Sequence, residues 1–125
     1  MVKKVISTVL IALISLTSTF AQDAMSKKEE KALTNKGEGY YSDEYYITAA
    51  NIFEELNKAN PDDLYYKLML GICYSFITEK KELSLIYLLD VKEQNPEYSE
   101  VDFFIGRSYA VNHQFDLAID YFNKY

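Results

Sequence analysis

Catalysis starts from a nucleophile, a base or a metal ligand, and few residues of this chain qualify. The one histidine, His113, sits in "VNHQF" with no acidic or nucleophilic partner marked beside it, so it reads as a turn residue rather than a general base. The one cysteine, Cys73, lies in the apolar run "LMLGICYSF", where a thiol behaves as a small hydrophobe. A zinc site built on these two would need several carboxylates to complete it. The acid pairs Glu29-Glu30, Glu54-Glu55 and Asp62-Asp63 are neighbours in sequence. On a helix such neighbours point about 100° apart, so they form solvated faces or caps rather than a catalytic carboxylate pair. Each glycine stands in a helical context and no phosphate-cradling loop is present. No enzyme, metal or cofactor is expected.

The elements that hold these residues follow from a repeat. Pro61 and Pro96 each end an Asn-Pro pair and are each followed by acids, and Gly37, Gly71 and Gly106 are spaced 34 and 35 residues apart. A fixed period of this size signals stacked supersecondary units. Counting from the glycine, Gly37, Tyr40, Tyr46, Ala49 and Phe53 coincide at all five positions with Gly106, Tyr109, Phe115, Ala118 and Phe122. The middle unit keeps Gly71 and Tyr74, but one residue is inserted around "TEKKE", which brings Ser84 and Leu88 to the alanine and phenylalanine positions. Antiparallel helices approach closely where a small residue faces a large one, so the glycines and alanines are packing devices and the aromatics fill the space beside them.

The expected helices span about 26–41, 44–59, 63–77, 81–94, 99–111 and 115–125. Ser42-Asp43-Glu44 and Asp62-Asp63 are expected at helix starts, Ser99 with Asp102 as a capping box, and Asn112 as a left-handed stop. No segment alternates with period two, which favours an all-α solenoid over any sheet.

On these residues the chain resembles the tetratricopeptide repeat (TPR) family, over about residues 26–125. The resemblance implies a right-handed α-solenoid of about three hairpins (26–61, 62–97 and 98–125) and a protein or peptide partner held on the concave face. The groove candidates are then Thr34, Glu38 and Tyr41; Leu68, Ile72 and Ser75; and Phe103, Arg107 and Ala110. The same residues could instead face further protein. With Arg107 as its only cation, this groove does not match family members that grip a peptide's terminal carboxylate. Of the 12 tyrosines, Tyr40, Tyr46, Tyr74 and Tyr109 fall on core positions of the pattern. Tyr41, Tyr45, Tyr65 and Tyr66 are left over, and tyrosine suits interfaces because it joins apolar area to a polar tip.

The first 21 residues are of another kind. Lys3 and Lys4 precede an apolar run from Val5 to Leu16 and then "TSTFA", the pattern of a secretory signal peptide cleaved before Gln22. The run is shorter than the roughly 20 residues a spanning helix needs. Cleavage removes two lysines and no acids, moving the net charge from −6 to −8. Nucleic acid and anionic lipid, which are bound through clusters of Lys and Arg, are therefore poor partners.

A solenoid unit buries its faces only against neighbours, so the final helix, with Leu117, Tyr121 and Phe122, is expected to continue into further protein or to be covered by a partner. The signal ending "FAQ" and the segment "FFIGRSYAVNHQFDLAIDYFNKY" also resemble the N-terminal repeats of Bacteroidota envelope proteins. Those proteins go on into a WD40-like β-propeller and an OmpA-like peptidoglycan-binding domain. That resemblance implies a periplasmic scaffold, with a structural spacer or a part in a protein-secretion assembly as alternatives.

Overall fold

The computed structural model describes residues 24–125, and the expected signal segment lies outside them. Six α-helices follow in order: α1 Lys27–Ser42, α2 Tyr46–Ala59, α3 Leu64–Tyr74, α4 Lys81–Gln94, α5 Glu100–Val111 and α6 Phe115–Phe122. Each packs on the next, giving three antiparallel hairpins stacked in line. Among the described residues there is no strand, and no helix is long and apolar enough to cross a membrane.

The repeat is visible in the backbone. Asn60 and Asn95, each before a proline, end α2 and α4 at φ −133° and ψ 74°, and φ −136° and ψ 79°. A residue before proline is driven out of the helical region, so both helices stop at the same place. The residues after the prolines then close matching turns, Asp63 N–H to Asn60 O and Tyr98 N–H to Asn95 O, both 3.1 Å.

Each hairpin closes around its glycine. A Cβ on Gly37 would lie 3.0 Å from the Phe53 ring, one on Gly71 2.8 Å from Leu88, and one on Gly106 2.8 Å from Phe122. The insertion in the middle unit leaves this contact in place, since Leu88 takes the phenylalanine position. Ser84, at the alanine position, donates a hydrogen bond to the Gly71 carbonyl at 2.7 Å and accepts one from Ser108 of the next hairpin.

The inserted residue is absorbed where α3 meets α4. In the outer hairpins the turn passes through a left-handed residue, Glu44 at φ 65° and His113 at φ 61°. Both stand at the same distance from their glycines. In the middle hairpin a 3₁₀ turn, Thr78–Lys80, takes that place.

Three expected helix ends differ. The left-handed stop is His113, while Asn112 has φ −92° and uses its side-chain amide to bond the carbonyls of Lys81 (3.0 Å) and Ser108 (2.8 Å), tying α5 to the start of α4. Ser42 and Asp43 close α1 rather than open α2, whose N-cap, Tyr45, makes no side-chain capping bond. Ser99 caps nothing, because Asp102 is buried and drawn to Lys92 of α4 at 2.8 Å. Asp63 does cap α3, accepting from Tyr65 N–H at 2.8 Å, and α1 carries a complete capping box between Ser26 and Glu29.

Candidate functional site

The residues with the most reactive side chains are placed as structural parts. Cys73 is fully buried, and desolvation pushes its thiol up to about 12. A thiol so far from ionising is a poor nucleophile at neutral pH. His113 holds the turn between α5 and α6 with its ring edge-on to Phe115, centroids 6.0 Å apart. Among the described residues no three His, Cys, Asp or Glu side chains come close enough to hold a metal ion.

Of the expected groove residues, Thr34, Glu38 and Tyr41 of α1 are half-buried, and two leftover tyrosines of α3 are tied to this helix. Tyr66 donates to Glu30 at 2.9 Å and shares a hydrogen bond with Thr34 at 3.1 Å, while Tyr65 donates to Glu38. The bond from Tyr66 holds the Glu30 carboxyl below its ordinary value, and burial first, then Glu38, holds the Tyr65 phenol above its own. These bonds clamp the first hairpin to the second. The local pattern carried no sign of them, because the partners are more than twenty residues apart.

The central part of the expected groove is not surface. Leu68, Ile72 and Ser75 are 5%, 4% and 4% exposed. Groove-edge groups from the flanking hairpins close in at the far end: the Phe76 ring stacks on Tyr46 of α2 at 4.1 Å and carries the Arg107 guanidinium of α5 at 3.9 Å. Burial raises the Tyr41 phenol, Tyr46 and Cys73 add to the shift, and the Arg107 charge partly offsets it. Arg107 is thus part of a three-hairpin stack, with its Nε buried and without a hydrogen-bond partner among the described residues. Ala110 is half-buried.

Of the expected groove residues, Phe103 remains open, on the aromatic edge of α5 beside the outside of α6. Phe103 is 40% exposed and lies 5.8 Å from Phe122 and 5.4 Å from Tyr125, centroid to centroid. Phe115, expected as a core aromatic, is exposed, and Phe122, though pressed on Gly106, is open on its other side. The reason is visible in the first hairpin, where the equivalent Tyr46 is covered by Phe76 from the next helix pair. No helix among the described residues does this for Phe115. Tyr109, by contrast, packs on Tyr121 at 5.5 Å, and Tyr40 meets Tyr45 at 6.2 Å.

No family model and no curated protein matches the chain. Fifteen solved chains do. One, the MamA RS-1 ArsTM double mutant, superposes with a TM-score of 0.69 at 20% identity, covering 79% of this chain and 55% of that one. The chain therefore spans about half the length of that structure. The likeness is one of fold, and together with the three hairpins it establishes an all-α, TPR-like solenoid.

Proposed function

We propose that this chain is an exported, non-enzymatic scaffold of the cell envelope that holds a protein partner through the apolar edge of its last hairpin and the adjoining groove. The observation that carries the reading is the surface around Phe103, where groove and outer face meet in one exposed aromatic cluster with Phe122 and Tyr125. Apolar area of this kind on a scaffold fold marks an interaction site.

Export rests on residues 1–21, whose basic start, apolar run and Thr19/Ala21 pair fit a cleaved signal. The periplasmic setting and a link to an OmpA-like, peptidoglycan-associated protein rest on the resemblance of the signal end and the last repeat to Bacteroidota envelope proteins. In those proteins peptidoglycan is bound outside the repeats, so no residue here is assigned to it. The excess of acids argues against nucleic acid as a partner.

Two measurements test this. Mass spectrometry of the chain recovered from the periplasm finds Gln22 at its N-terminus if the export reading holds, and Met1 if it fails. A photo-crosslinking residue at position 103 captures a protein in cells, and Phe103→Glu, a change at an exposed site, abolishes association with that same protein while leaving helicity intact. Unchanged association would remove Phe103 from the interface.

A further inference from the structure

The first and last hairpins carry the same five pattern residues, so that pattern does not determine which hairpin stacks on which. The two joints between hairpins differ instead in what fills their buried centres. At the first, where α3 meets α2, Cys73 stands two residues after its glycine and Ala49 at the small position of α2, both 0% exposed. At the second, where α5 meets α4, the equivalent residues are Ser108 and Ser84, also 0% exposed. Ser108 donates to the Ser84 hydroxyl, and Ser84 donates in turn to the Gly71 carbonyl at 2.7 Å. Four residues before the glycine, α3 has Lys67, which turns to Asp90 of its own hairpin at 2.8 Å. In α5 that position is the buried Asp102, which crosses the joint to Lys92 of α4 at 2.8 Å. The residue of α2 equivalent to Lys92 is Asn57. Six residues after the glycine, α3 has Ile77, whereas α5 has Asn112, bonded to the Lys81 carbonyl of α4 at 3.0 Å.

We infer that these residues key the second joint, so that α4 accepts α5 and rejects a helix built like α3. The order of stacking is then set by buried polar partners rather than by the repeat pattern, independently of what the scaffold binds. The physical reason is the cost of a mismatch: a buried hydroxyl without a partner, and still more a buried charge, loses its hydration for nothing. With α5 placed on α2, the Ser108 hydroxyl would face Ala49 and the Asp102 carboxylate would face Asn57. A helix like α3 placed on α4 would bring Lys67 to Lys92 and Ile77 to the Lys81 carbonyl. Specificity of this kind comes from what the wrong pairing leaves unpaired.

The direction of the hydrogen bonds adds an asymmetry. Ser84→Ala takes away the acceptor of the Ser108 hydroxyl and leaves it buried alone. Ser108→Ala orphans nothing, because Ser84 keeps its bond to the Gly71 carbonyl.

Denaturant unfolding of the chain as recovered from the cell tests this. Ser84→Ala is expected to lower the folding equilibrium constant by about fivefold or more, and adding Ser108→Ala to it recovers most of the loss. Lys92→Met, which strands the Asp102 carboxylate, lowers the constant further, and adding Asp102→Asn recovers part of it. Moving the key to the first joint is the stricter trial. Cys73→Ser alone sets a hydroxyl against Ala49 and weakens folding. Adding Ala49→Ser restores it, since the new pair repeats at Gly37 the relay that runs from Ser108 through Ser84 to Gly71. Losses that simply add within each pair overturn the proposal. So does a Ser108→Ala chain that loses as much as Ser84→Ala. A Cys73→Ser chain as stable as the parent also overturns it, because a serine that satisfies itself within its own helix rejects nothing.

Discussion

The first and last hairpins share five pattern residues in the same order, yet one is a core and the other largely a surface. Phe53 is fully enclosed and Phe122, its counterpart, is 40% exposed, although both press on a glycine at the same point of the helix pair. The local pattern determines how two helices meet within a hairpin, and the neighbour decides what the outer strip becomes. In a solenoid that neighbour is sequence-distant, so equal motifs carry unequal energies.

Truncation measures the difference most strongly. Phe53→Ala removes a fully buried ring and is expected to cost about 3–5 kcal/mol, whereas Phe122→Ala loses a ring already half in water and costs about 1–2 kcal/mol. Denaturant titration of the two variants checks the gap, and equal losses would break the comparison.

Added bulk gives the next effect. Gly71→Ala drives a methyl into Leu88, which is fully buried, and overpacking of this kind costs about 1–3 kcal/mol against the roughly 1 kcal/mol that alanine gains over glycine in a helix. Gly106→Ala meets Phe122, which can swing toward solvent, so thermal unfolding of that variant is expected to stay within about 1 kcal/mol of the parent.

The hairpin architecture was legible because it depends on contacts within some fifteen residues: Gly37 with Phe53, Gly71 with Leu88, Gly106 with Phe122. The Asn-Pro stops were legible for the same reason, proline acting on its immediate neighbour. The groove was not. Whether Leu68 or Ile72 faces solvent depends on how closely three hairpins curve together, and the groups that close that end, Tyr46, Phe76 and Arg107, come from three separate hairpins. The left-handed turn residue was misplaced by one, at Asn112 instead of His113, because asparagine's general tolerance of that conformation outweighed the register shown by Glu44. Ser99 and Asp102 had the spacing of a capping box, but the charge of Lys92 across the hairpin boundary claimed the carboxylate.

Acid acts mainly on the first two hairpins. The Tyr74 hydroxyl holds Glu54 below its ordinary value of 4.5, and Lys67 holds Asp90 below 3.8. A carboxyl depressed in the folded state stabilises above its unfolded value and loses that contribution as pH falls through the folded one. Melting temperature is therefore expected to fall as pH drops below about 4.5, and Glu54→Gln flattens part of that slope. An unchanged slope would show that the Tyr74 and Lys80 contacts to Glu54 are not formed in solution.

The smallest effect concerns the turns. Glu44→Gly and His113→Gly relieve a left-handed residue and are each expected to stabilise by about 0.5–1 kcal/mol, after the entropy cost of glycine. Thr78→Gly, in the 3₁₀ turn that replaces this residue in the middle hairpin, gains nothing. A gain at Thr78 equal to that at His113 would mean that the inserted residue does not alter the turn.

Amide hydrogen exchange of α2 and α6 tests the central claim most directly. Slow exchange in α2, whose outer strip is buried, and faster exchange in α6, whose counterpart strip is exposed, is the expected result. Exchange in α6 as slow as in α2 would contradict the account, since an uncovered strip would then protect its helix as well as a covered one.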